Sequence, residues 1–421
     1  MKPLQVHPNQ RYLQHSDGSS FFYLGDTAWE LFHRCDRDEA DFYLRTRAEQ
    51  GFTVIQAVIL AELDGLRVPN PRGHVPFHDL DPLKPNEGYF EDVDWIIEKA
   101  TSYGLRMGIL PTWGDKYQMN QWGKGPEVLT PENAEPYAKF LGDRYAWAEP
   151  IWILGGDRPI DSDKDRAVNE KMAAGIRSSR AKHQLVTLHP CGQCHSSQYF
   201  HNADWLDFNM AQTGHSTDRD NYNSVAKDYA LTPVKPCMDA EPGYEDHPSK
   251  FNPENGYMMD DQTRKFAYWA LFAGAHGHTY GCHDIWQMWL PGRDPITAAR
   301  TPWTEAIHLP GAVQMGHVRN LMESTPNWER VPAQDLIRSS NPDGPDHVRA
   351  TKGEKGDFAL VYSATGQAFD LDFSQLDSGV DRARWFDPRS GSYKDAEPPV
   401  AAAKPPSAGP GQDWVLVLDK T

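Results

Sequence analysis

At 421 residues the chain is long enough for one large domain and one small one. Its 42 basic against 59 acidic side chains give a formal net charge of -17, which repels phosphate backbones and anionic surfaces, so neither nucleic acid nor a membrane is an expected partner. A neutral or cationic small substrate fits that charge, and the 14 tryptophans and 17 tyrosines supply flat rings of the kind that sugar faces stack on.

From residue 20 to about 290, short apolar runs alternate with longer amphipathic segments. The N-terminal "MKPLQVHPNQ" has no apolar core of a signal peptide, and no run approaches the roughly 20 apolar residues of a membrane span. The chain as written is therefore expected in the cytoplasm, or in the periplasm or outside the cell if a signal segment has been removed. "FFYLG" (21–25) precedes a helix-like "RDEADFYLRTRAEQG". "FTVIQAVIL" (52–60) precedes "YFEDVDWIIEKATSYG", helical by Val93, Ile96, Ile97 and Ala100. "LRMGILPTW" (105–113), "PIWILGGD" (150–157), "LVTLHP" (185–190), "WLDFNMAQ" (205–212), "VKPCMDAEP" (234–242) and "AHGHTYG" (275–281) complete eight strand-like runs, most with a helical partner. This α/β alternation predicts a (β/α)8 barrel over residues 1–326, with a doubly wound open sheet as the alternative. After the helix-like "WTEAIHLPGAVQMGHVRNLMES" the texture changes near Asn327. "HVRATK", "FALVYSA", "FDLDF", "RARWFDP" and "WVLVLD" lie between turn residues and predict a small all-β sandwich over residues 327–421, with "EPPVAAAKPPSAGPGQ" as a loop inside it.

In a barrel, chemistry sits at the carboxyl ends of the strands. That rule collects Asp26, Gln56, Trp113, Asp115, Asp157, His189, Asn209, Gln212, Asp239, Glu241, His276, His278, Tyr280 and Trp286 on one rim, with Trp29 just beyond the first strand. Acids, amides, imidazoles and indoles together suit a hydroxyl-rich ligand. Hydrolysis of a glycosidic bond commonly takes two carboxyl groups on opposite sides of the anomeric carbon. Asp157 and Glu241, at the ends of the fourth and seventh runs, are the natural catalytic pair, because those strands face each other across eight. Asp26 is the rival acid, and its position before Thr27 also suits substrate binding or a helix cap. Asp26, Trp29, Gln56, Trp113, His189, Gln212, His278, Tyr280 and Trp286 are the expected substrate-binding set.

Other constellations point elsewhere or nowhere. The five cysteines, Cys35, Cys191, Cys194, Cys237 and Cys282, are few and odd in number, so a disulfide framework is not expected and a reducing compartment is favoured. Cys191 and Cys194 in "PCGQC" have redox or metal spacing but no second pair, which favours a structural role. His276, His278 and His283 with Asp284 could hold a metal or donate hydrogen bonds to a sugar. No phosphate loop, dinucleotide fingerprint or His-Glu zinc helix is present, so neither a cofactor nor a metal is expected. Trp95, Ile96 and Ile97 read as core.

The segments "LGDTAWELFHR", "RAEQGFTVIQAVIL", "LPTWGDK", "IWILGGDRP", "LHPCGQCHSSQYFHNADWLDFNMAQTGH", "MDAEPGYED" and "YWALFAGAHGHTYGCHDIWQMW" resemble, in order and over about residues 5–330, the apiosidase-like proteins of glycoside hydrolase family 140. The resemblance implies a (β/α)8 barrel with a C-terminal β-sandwich and a retaining, exo-acting glycosidase that releases apiose, a branched furanose, from plant pectin. It also implies Asp157 as acid/base and Glu241 as nucleophile. A related furanoside, such as an arabinofuranoside, or a small plant glycoside would fit the same site. Two other classes stay open at this point: a non-catalytic carbohydrate-binding barrel, and a metal-dependent isomerase or hydrolase using the histidines after residue 275.

Overall fold

The computed structural model describes residues 1–377, 380–396 and 402–420. Eight parallel strands stand where the apolar runs predict them: β1 (Tyr23–Thr27), β2 (Val54–Val58), β3 (Arg106–Leu110), β4 (Ile151–Gly155), β5 (Val186–His189), β6 (Asn209–Gln212), β7 (Cys237–Asp239) and β8 (Gly277–Tyr280). Six of them form one curled sheet in the order β8-β1-β2-β3-β4-β5, and β6 and β7 pair in a second sheet with the two-residue strand Cys194–His195. Single backbone hydrogen bonds reach across both seams, from Asp207 N to Val186 O and from His276 N to Cys237 O. The strands are buried along their length, as expected of apolar runs covered on both faces.

The connecting helices begin where their caps dictate. In α1 (Arg37–Glu49), Asp36 and Glu39 cap each other reciprocally. In α2 (Glu87–Ser102), the Asn86 side chain accepts from Gly88 N, and Val93, Ile96, Ile97 and Ala100 form the buried stripe. Trp95 departs from the core expectation: it lies at the edge of that stripe, half-buried, with Arg37 and Lys99 over its ring at 5.3 and 5.2 Å. Then follow α3 (Pro131–Tyr145), α4 (Asp163–Arg177), α5 (Asn221–Tyr229), α6 (Asp260–Phe272) and α7 (Pro310–Glu323). The single helix expected from Trp303 onward is two, a short turn Trp303–Ala306 and α7. Pro310 has no N–H to continue the first and occupies the first turn of the second.

Beyond α7 a six-stranded antiparallel sheet runs in the order β9-β10-β11-β14-β12-β13, from β9 (Arg330–Pro332), β10 (Val348–Gly353), β11 (Ala359–Ser363), β12 (Arg382–Asp387), β13 (Ser392–Asp395) and β14 (Trp414–Asp419). "FDLDF" supplies only the pair Phe369–Asp370, bridged to Ala402–Ala403, and residues 397–401 of the expected Pro/Ala loop lie outside the described residues. β9 and β13 lack the apolar alternation that would reveal them, and β13 is exposed throughout. The alternation of β11 and β14 divides two cores. Leu360, Tyr362, Val415 and Val417 join the main core, whereas Val361, Leu416 and Leu418 join a second, smaller one. The sheet is thus clamped to the parallel strands' helical layer, and a buried ion pair fixes it. Arg264 on α6 donates to Asp413 at 2.8 to 3.2 Å, and the Tyr362 hydroxyl donates to the same carboxylate at 3.2 Å.

Candidate active site

The site is built on a left-handed turn at the end of β4. Gly155, Gly156 and Asp157 all have positive φ, at 85°, 105° and 53°. Side chains on the glycines are excluded by backbone on both sides. A Cβ at Gly155 would lie 2.3 Å from His189 O, and one at Gly156 would lie 2.8 Å from Gly114 N and 2.9 Å from the Trp113 Cα. The same closeness makes the bonds that hold the turn, Gly156 N to His189 O at 3.1 Å and Gly114 N to Gly156 O at 2.9 Å. Asp157 is therefore delivered by a strained backbone that the ends of β3 and β5 lock in place. Gly156→Ala is expected to cost about 3 kcal/mol or more of folding stability, from overpacking together with the left-handed strain. Denaturant unfolding would check this.

Glu241 stands two residues beyond β7, in a turn fixed by Ala240 N to Ala211 O at 2.8 Å and Gly214 N to Glu241 O at 3.1 Å. Two imidazoles reach its carboxylate: His189 Nε2 lies 2.9 Å from Oε2, and His215 Nε2 lies 3.1 Å from Oε1. Burial opposes the charged form of Glu241, but these two contacts outweigh it and hold the group down to about 2. Asp157 goes the other way. Burial, and then the negative charge of Glu241, push it up to about 7, against the opposing pull of His189, Arg158 and a hydrogen bond from the Gln212 side chain. The two neighbouring carboxyls are thus driven in opposite directions, with Glu241 ionised and Asp157 protonated between about 2 and about 7. Removing His215 with Ala deletes one support of the Glu241 anion, so its pKa should rise. The acidic limb of the kcat/KM profile should then move to higher pH, measured on a small activated substrate.

Aromatic walls flank the pair. On the His189 side, Trp29 and Trp113 pack at 5.2 Å and both meet His189, at 5.3 and 5.9 Å. On the Glu241 side, His215 packs on Tyr244 at 4.3 Å and on His247 at 4.2 Å. His247 continues to His283 at 4.3 Å, whose Nδ1 accepts from Trp286 Nε1. Of the sequence-derived site residues, Asp157, Glu241, Trp29, Trp113, His189 and Gln212 therefore gather in one cluster, with Trp286 at the end of the second wall.

Four others lie elsewhere. Gln56 is on the inner face of the sheet, donating to Thr279 Oγ1 at 2.7 Å in space left by Gly25. Asp26 is directed to the helical layer, where Tyr43 and Arg47 of α1 donate to it at 2.5 and 2.6 Å. Tyr280, its register partner on β8, also points outward and donates to Glu245. His278, two residues earlier, shares that face by alternation. Among the described residues no three His, Cys, Asp or Glu side chains gather as a metal-binding set, and the histidines of the metal alternative are engaged elsewhere. His276 is bonded to Cys237 O between two aromatic rings, and His283 is bonded to Ile296 O and Thr297 O.

Four contributors escaped the sequence reading. His215 and Tyr244 come from loops after β6 and β7, beyond the strand ends that the reading ranked. Glu62, only 3% exposed, follows β2 and is pushed well above the usual carboxylate range by burial and then by Glu30, Asp115 and Asp157. Arg158 is buried and donates to Asp157 O at 2.8 Å. The "PCGQC" loop is closed by a Cys191–Cys194 disulfide, while Cys35, Cys237 and Cys282 are free and buried. Its Gln193 N donates to Gln212 O at 2.7 Å, and Cys194 pairs in register with Gln212, so the loop braces the residue that bonds Asp157.

Residues 7–329 match the family described as the apiosidase-like catalytic domain, and residues 331–419 match the family described as a collagen-binding domain of a collagenase. No curated protein matches the chain. Among solved structures, one titled a glycoside hydrolase is 32% identical, covering 100% of this chain and 97% of its own, with a TM-score of 0.91. A glycoside hydrolase of family 5 from Bacteroides vulgatus is 31% identical over 99% of this chain and 93% of its own, also with a TM-score of 0.91. A further glycoside hydrolase from the same organism, 15% identical over 100% of this chain and 82% of its own, shares the fold at a TM-score of 0.70.

Proposed function

The chain belongs to the apiosidase-like catalytic-domain family and is a glycoside hydrolase, and from that premise we propose that it is a retaining, exo-acting enzyme of glycoside hydrolase family 140. In this reading the eight parallel strands form a complete (β/α)8 barrel, and the substrate is a terminal furanose, apiose or an arabinofuranose, on a plant-derived glycan or glycoside. One observation carries the reading: Glu241 lies against His189 and His215, whereas the neighbouring buried Asp157 is raised by burial and by the Glu241 charge. Such a division supports Asp157 as the acid and Glu241 as the nucleophile.

Asp157, protonated near neutral pH, gives its proton to the leaving oxygen while the Glu241 carboxylate attacks the anomeric carbon. His189 and His215 orient the two oxygens of Glu241 and keep it ionised. Formation of the glycosyl ester consumes the Glu241 charge. The same electrostatic contact that raised Asp157 then disappears, its pKa falls, and the group becomes a carboxylate able to take a proton from the incoming water. Trp29 and Trp113 supply a wall for the sugar face.

The test is a panel of aryl furanosides and pectic oligosaccharides, with the anomer released in the first minutes read by proton NMR. The reading expects free apiose or arabinose with retained configuration. Inverted product, or release of pyranoses only, would overturn it.

A further inference from the structure

The residue that best answers what lies beyond the two acids is Trp122, on the loop after β3. Its ring is 49% exposed, yet it is not free to swing. The guanidinium of Arg158 sits 4.8 Å over the ring, and Trp113 flanks it at 6.4 Å. The loop itself is pinned on both sides of Trp122. Gln118 Nε2 donates to Pro159 O and Asp165, and the backbone N–H groups of Lys124 and Gly125 donate to Asp115 at 3.0 and 2.8 Å. Arg158 donates to the carbonyls of Gln118, Asp157 and Trp122. One buried guanidinium therefore ties the exposed indole to the backbone of Asp157. The ring is thus fixed beside the turn that carries Asp157, with about half of its surface open.

Resting on the retaining-hydrolase reading above, we propose that Trp122 forms the subsite for the leaving group and stacks on a ring with an apolar face. The side follows from the chemistry. The acid must reach the glycosidic oxygen, so the departing group lies on the Asp157 side, whereas the Glu241 side is already walled by His215, Tyr244 and His247. The chemistry of the occupant follows from the donors. The Arg158 nitrogens are directed to carbonyl oxygens, so Trp122 offers a ring face and an indole N–H donor, with no ion pair. That suits a neutral pyranose of a glycan or the phenyl ring of an aryl glycoside, which share the same stacking chemistry.

The experiment compares wild type, Trp122→Ala and Trp122→Phe on two furanosides with the same glycon, one linked to a pyranose and one to a phenyl group. Competitive inhibition by the free furanose product is measured alongside. Trp122→Ala should raise KM about 10-fold, the inhibition constant of the free furanose should stay within about 2-fold of wild type, and Trp122→Phe should recover most of the loss. A rise confined to the pyranose-linked substrate identifies a glycan leaving group, and equal rises identify any apolar ring face. The proposal is overturned if neither KM moves, or if the inhibition constant rises in parallel, which would place Trp122 against the glycon or in a structural role. A wild-type protein that hydrolyses neither furanoside would overturn the furanosidase reading first, and this inference with it.

Discussion

Glu241→Gln is expected to lower turnover by roughly 10⁴-fold on every substrate, activated or not, because it removes the atom that attacks the anomeric carbon. The amide is nearly isosteric with the acid, so the protein should still fold. His189 and His215 lose an anionic partner and gain a neutral one. With the nucleophile gone, and the Asp157 pKa lowered by loss of the Glu241 charge, an activated leaving group that needs no proton should depart as added azide enters from the vacated side. The product should be a glycosyl azide of inverted configuration, identified by NMR. A retained azide from this variant would mean that Glu241 is not the nucleophile.

Asp157→Asn should divide substrates by their leaving groups. General acid catalysis contributes about 10²- to 10⁴-fold, so a poor leaving group such as a sugar alcohol should lose a factor of that order, while an activated phenolate departs with little help. The glycosyl ester then accumulates for want of a base, and azide should intercept it to give a retained glycosyl azide. The pH profile follows from the same two groups. Activity needs Asp157 protonated and Glu241 ionised, so kcat/KM should fall above about 7 as Asp157 loses its proton. It should fall on the acidic side only toward about 2, where Glu241 gains one. Asp157→Asn assayed on an activated aryl glycoside should abolish the alkaline limb and leave the acidic one in place. An unchanged alkaline limb would assign it to another group.

How far the sequence reveals this arrangement depends on which physical rule each residue obeys. The strands are legible because buried parallel strands must be apolar along their length. Asp157 is legible because a polar residue after "IWILGG" can only stand at a strand end. The misplacement of Asp26, His278 and Tyr280 has one cause. Side chains alternate across a strand, and a reading that locates the end of a strand within a residue cannot say which face that residue takes. Asp26 and Tyr280 are register partners and point together to the helical layer, where Arg47 and Glu245 receive them. His215 was hidden for another reason. Its approach to Glu241 depends on loop contacts such as Lys250 N to His215 O, which join residues far apart in sequence. The positive φ of Asp157 was likewise unreadable, although the paired glycines before it signalled a close approach of neighbouring backbone.

In the proposed mechanism Glu241 becomes covalently bonded to the sugar while Asp157 moves the proton. A 2-deoxy-2-fluoro furanosyl donor with a good leaving group slows the second step more than the first, which traps the ester. Intact-mass measurement followed by peptide mapping should then show one added fluorosugar, carried by the peptide containing Glu241 and absent from Glu241→Gln. An adduct on Asp157, or stoichiometric turnover to an inverted product with no adduct on any peptide, would contradict the account.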